Sequence, residues 1–147
     1  MGDAARYEIA VREGRLLEAR VFGLWSAEEA DAYSAALASE VKAHANALVL
    51  CADHRPVKVY PPEVTDRLVS LFKQMNSRLE RIAILVAPSN ATLFLQLERV
   101  VRESQFDRRR VLRDAEEGLR HLAPSLSRRE LDRARAFLAE WSPEARG

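Results

Sequence analysis

Two short, unbroken apolar runs, ALVLCAD over 47–53 and RIAILVA over 81–87, constrain this chain more than any other feature. Runs of this length without polar alternation read as strands buried on both faces, which occur in parallel sheets covered by helices. The segments between them supply those helices. Ala30, Tyr33, Leu37 and Val41 recur at three- and four-residue spacing behind a Ser26…Glu29 capping box, predicting a helix to about Ala45. Pro61-Pro62 leads into a second stripe of Val64, Leu68, Leu71, Met75 and Leu79, with Glu63 at the positive end of its dipole. Ser89 or Asn90 caps a third helix that turns Leu93, Leu97, Val100 and Val101 inward. A short strand over 109–112 precedes a fourth helix, capped by Asp114 and running through His121.

The chain opens differently. Tyr7, Ile9 and Val11 alternate with charged neighbours, and Leu17, Ala19 and Val21 alternate with Glu18 and Arg20 across Glu13-Gly14-Arg15. Period two on both sides of a glycine predicts an antiparallel hairpin. A second capping box, Ser127…Glu130, starts a last helix carrying Leu131, Ala134, Leu138 and Trp141.

The expected fold is therefore α/β. A mixed, mostly parallel sheet of four to five strands opens with an antiparallel hairpin, flanked by four helices plus an extra C-terminal helix. One domain spans 1–147, with its core at about 7–122 and the appended helix at about 127–141. Two layer arrangements fit: helices on both faces of the sheet, or helices gathered on one side.

The 147 residues suffice for one hydrophobic core. At 48% apolar and 31% charged, the composition is that of a globular protein rather than a disordered one. A net charge of +1 argues against a nucleic-acid binder. The arginines at 108–110, 113, 128, 129, 133 and 135 read as solvated faces balanced by acids. The single cysteine, Cys51, excludes an internal disulfide and suits a reducing compartment. No signal-peptide stretch and no run of roughly 20 apolar residues is present, so cytoplasm, without membrane association, is the expected location.

The order and motifs resemble a known family. The passage Gly23-Leu24-Trp25-Ser26-Ala27-Glu28-Glu29-Ala30 after the second strand, the strand LVLCAD ending in Asp53, and the strand IAILVAP are similar to the anti-sigma-factor antagonist fold, the STAS domain, in its divergent bacterial members. The resemblance covers about Tyr7 to Leu122. It implies a non-enzymatic protein-interaction or regulatory module with an unidentified protein partner. Phosphorylatable members keep an acceptor Ser at the N-terminus of the helix after the third strand. Here 54–62 reads HRPVKVYPP, without Ser, and Thr65 is the nearest hydroxyl apart from Tyr60.

Candidate chemistry gathers where an open parallel sheet binds ligands, beyond the carboxyl ends of its strands. That edge should carry Asp53, His54 and Arg55 from one strand and Ser89 and Asn90 from the next, with Tyr60 and Thr65 beside them. The partner surface is expected there. The alternative is a small-molecule site or weak enzyme built on Asp53, His54 and Ser89. The last helix, through Leu131, Phe137, Leu138 and Trp141, either covers the sheet or serves as a partner or homodimer face. His44, His54 and His121 lie in separate elements without metal-ligand spacing, so no metal is expected, and no motif calls for a cofactor.

Overall fold

The computed structural model describes residues 6–143. Strands β1 (Tyr7–Glu13) and β2 (Leu16–Val21) form the antiparallel hairpin. Then follow α1 (Ala27–Lys42), β3 (Leu48–Asp53), α2 (Pro62–Met75), β4 (Leu79–Leu85), α3 (Ala91–Ser104), β5 (Arg109–Leu112), α4 (Ala115–Leu122) and α5 (Arg128–Ala139). The sheet order is β1-β2-β3-β4-β5, with β2 through β5 parallel. Because the order advances steadily across the sheet, right-handed crossovers place α1, α2 and α3 on the same face. The chain then turns back, and α4 and α5 cover the other face. Of the two arrangements open from the sequence, helices on both faces is the one observed.

Strand alternation sorts the core. Leu17, Ala19, Val21, Leu48, Leu50 and Ala52 face the α1–α3 layer, joined by Tyr33, Leu68 and Leu97. Leu16, Val49, Cys51, Ala83 and Leu85 face the other way, against Leu119, Leu122, Ala134, Phe137 and Leu138. The α1 stripe of Ala30, Tyr33, Leu37 and Val41 is buried throughout. In α2 the buried stripe stops at Met75, and Leu79 instead begins β4. The expected capping box at Ser26 is half present. Ser26 Oγ accepts from the Glu29 amide at 3.2 Å, but Glu29 takes the amide of Trp25 rather than that of Ser26. The box at Ser127 and Glu130 is complete. Its Glu130 also accepts from the Arg15 amide at 2.6 Å, locking the start of α5 to the hairpin turn. Gly14 in that turn has φ +53°, and a Cβ there would run into the Glu130 carboxylate.

The appended helix is part of the core rather than an accessory. On β2, the side chains of Glu18 and Arg20, which strand alternation alone assigns to solvent, lie under α5 and are buried. Glu18 receives Arg133 of α5 at 2.6 Å and Arg12 at 2.8 Å. Phe137 and Leu138 are only 4% and 3% exposed. Of the two roles left open for the last helix, covering the sheet is the one observed for Phe137 and Leu138, rather than a partner or dimer face built on Leu131, Phe137, Leu138 and Trp141. Phe137 and Leu138 are spent on the sheet, Leu131 packs beside them, and Trp141 lies beyond the end of the helix.

Candidate functional site

Helices α1, α2 and α3 run antiparallel to the strands that precede them. Their N-termini therefore meet the carboxyl ends of β2, β3 and β4 at one end of the molecule. The C-terminus of α5 arrives at the same end, as its contacts with Arg20 and Arg55 show.

Asp53, the last residue of β3, is fully buried and faces α5. Its Oδ2 accepts from Arg20 Nε at 2.8 Å and from Arg55 Nη2 at 2.9 Å. Its Oδ1 accepts from Arg55 Nε at 2.8 Å and from the Arg55 amide at 3.1 Å. Burial pushes the Asp53 carboxyl up, but hydrogen bonds and charge from Arg55 and Arg20 outweigh it and hold the group below the ordinary carboxylate range. The two guanidiniums then continue to the end of α5. Arg20 Nη2 donates to the Phe137 carbonyl at 2.5 Å, and Arg55 Nη2 donates to that of Leu138 at 2.7 Å. Cations on the last carbonyls of a helix satisfy both their lone pairs and the negative end of its dipole. Asp53 is thus a brace for a helix terminus, with both oxygens occupied.

His54 points to the opposite face, as alternation requires, and is 1% exposed. Its Nδ1 shares a 2.7 Å hydrogen bond with the Tyr60 hydroxyl, and its ring meets those of Tyr33 and Tyr60 edge-on. Burial drives its pKa down to about 4 against the pull of Asp53. The unfolded chain accepts a proton near 6.5, whereas the folded chain refuses it until about pH 4. Stability contributed by neutral His54 is therefore complete above about pH 6.5 and falls as the pH drops toward 4. Between pH 7 and pH 5 this should cost about 2 kcal/mol in urea unfolding. The His54→Gln chain should lack that portion of the loss. Equal losses in both chains would exclude His54 as the source.

The loop between β3 and α2 is pinned from both sides. Gln96 accepts from the Tyr60 amide at 3.0 Å and donates to the Tyr60 carbonyl at 2.8 Å. Asn90 caps α3 through the Leu93 amide and donates to the Lys58 carbonyl at 2.8 Å. Thr65 is buried, and its hydroxyl donates to the Pro62 carbonyl at 3.0 Å. The same oxygen accepts from Arg99 Nη2 at 3.3 Å, so the hydroxyl is engaged within the fold.

The expected strand-end cluster is therefore divided, which corrects the reading of one continuous surface. Asp53, His54, Tyr60 and Thr65 lie inside the protein and on different faces of the sheet, so Asp53, His54 and Ser89 form no common site. Arg55, Ser89 and Asn90 reach the surface together. They line an open groove of about 540 Å³ whose other walls are Lys58, Val59 and Trp141. Sequence reasoning missed Lys58 and Arg20. It also assigned Trp141 to a helix face instead of this groove. The exposed large apolar side chains among the described residues are Trp25, Val59 and Leu95. All three belong to segments at this same end: the β2–α1 loop, the β3–α2 loop and the first turns of α3.

Among the described residues, no cluster of three or more His, Cys, Asp or Glu side chains is arranged to hold a metal ion, and no helix is long and apolar enough to cross a membrane. No family model, no curated protein and no solved structure matches the chain.

Proposed function

We propose that the chain is a non-enzymatic protein-interaction or regulatory module of STAS-like fold, working through the carboxyl end of its parallel strands. The observation that carries this reading is the placement of Trp25, Val59 and Leu95, exposed by 53%, 43% and 65%, all at that end. Exposed aromatic and large aliphatic side chains on a rigid frame are what protein contacts are built on. The candidate catalytic groups at the end of β3, Asp53 and His54, are consumed by internal hydrogen bonds. That favours a binding role over a catalytic one.

Affinity capture from a lysate of the native cell tests the proposal. Protein bound to the parent chain should be lost with Trp25→Asp and with Leu95→Asp. It should be retained by Lys42→Asp, an exposed substitution at the opposite end of α1. Retention by all three chains would remove this end as the docking surface.

A further inference from the structure

The groove between the β3–α2 loop and the start of α3 has chemistry of its own: it shares Val59 with the docking reading, but neither Trp25 nor Leu95 lines it. We propose that it binds a small organic anion, a carboxylate or a phosphate monoester, whose apolar body lies between Val59 and Trp141.

Three observations converge. The charged residues lining the groove are Arg55 and Lys58, and none of the described lining residues is an acid. Arg55 and, behind it, Arg20 share the single carboxylate of Asp53, so the wall keeps a net positive charge. Arg55 spends Nε and Nη2 on Asp53 and Leu138. Its Nη1 makes no hydrogen bond among the described residues.

The second observation is Trp141. Its ring lies 5.3 Å from the Arg55 guanidinium, and its Nε1 is buried without an acceptor among the described residues. That ring forms the apolar wall of the groove beside Arg55, so the body of an anion held by Arg55 and Lys58 packs against it. Third, the volume of about 540 Å³ falls within the range of small-molecule sites, about 300–1,000 Å³. The hydroxyls of Ser89 and Thr92 add neutral donors at the rim. Charge-assisted bonds to a carboxylate or phosphate are stronger than neutral ones, so the donor set selects anions.

The test uses the full chain and three probes of similar size: phenylacetate, phenyl phosphate and the neutral benzyl alcohol. The chain has two tryptophans, so its spectrum carries two indole N–H signals, and a Trp25→Phe chain assigns them. The Trp141 signal should move on titration with the anions, with affinity at least ~10-fold above that for benzyl alcohol. Response to phenylacetate alone marks a carboxylate site, and response to phenyl phosphate alone a phosphate site. Lys58→Gln, an exposed change that leaves the fold intact, should weaken anion binding about 5-fold, and more so at low salt. Trp141→Ala removes the wall against which the apolar body lies and should weaken binding by a similar factor, read by calorimetry. The proposal is overturned if benzyl alcohol binds as well as the anions. It is equally overturned if no probe moves the Trp141 signal at ~10 mM, or if both variants bind as the parent does.

Discussion

Replacing Asp53 by Ala should destabilise the protein by about 3–5 kcal/mol, measured as the change in free energy of urea unfolding. The size follows from what is left behind. Arg20 is 5% exposed, and its charge is matched at Asp53. Without the carboxylate, two guanidiniums face each other across a cavity with no counter-charge, held by the carbonyls of Phe137 and Leu138 and the rings of Phe137 and Trp141. Asp53→Asn should also be costly, since it keeps the shape and loses the charge. A loss below ~1 kcal/mol in both variants would mean that water reaches Arg20 and the brace is not a buried one. The pH dependence has a definite sign. The carboxyl titrates below its unfolded value, so its contribution is present above the ordinary Asp range near 3.9 and disappears as acid protonates the folded group.

Phe137→Ala should cost a similar amount, about 3–5 kcal/mol, by thermal or urea unfolding. The ring is 4% exposed, packs into the second apolar cluster, and lies 4.2 Å below the Arg20 guanidinium. Its removal takes apolar burial and the cation–π contact together, and it loosens the residue whose carbonyl Arg20 holds. The same substitution separates two roles for α5. On a helix held in reserve for a partner, an exposed Phe costs less than ~0.5 kcal/mol when truncated. A change that small would show that α5 leaves the sheet in solution.

The fold was legible because its signals are local. ALVLCAD and RIAILVA admit little but buried parallel strands, and the Tyr33, Leu37 and Val41 stripe admits little but a helix against them. The site was less legible because its residues answer to distant partners. Glu18 and Arg20 sit at positions that alternation assigns to water, and nothing within β2 says that a helix more than a hundred residues later will cover them. The available signal lay in α5 itself. Its Arg133 and its capping Glu130 are charges flanking an apolar stripe, and both turn toward the sheet. Asp53 and His54, adjacent in sequence, were grouped by proximity, yet strand alternation places them on opposite faces. Applied one residue past the strand end, period two would have separated them.

The ionic seam beneath α5 also dictates an order of events during synthesis. Arg133 meets Glu18 across 115 residues of chain, and Phe137 meets Arg20 across 117. No shorter nascent chain can close these contacts, and a ribosome adding about 5–20 residues per second needs several seconds after β2 before α5 arrives. Until then α4 can cover only the β4–β5 part of that face, and the hairpin part stands open, with Leu16 of β2 uncovered. Glu18, Arg20 and Asp53 project from that same side, and unpaired charges there discourage a second sheet from stacking on it. The groups that later fasten the last helix thus also guard the unfinished protein against self-association.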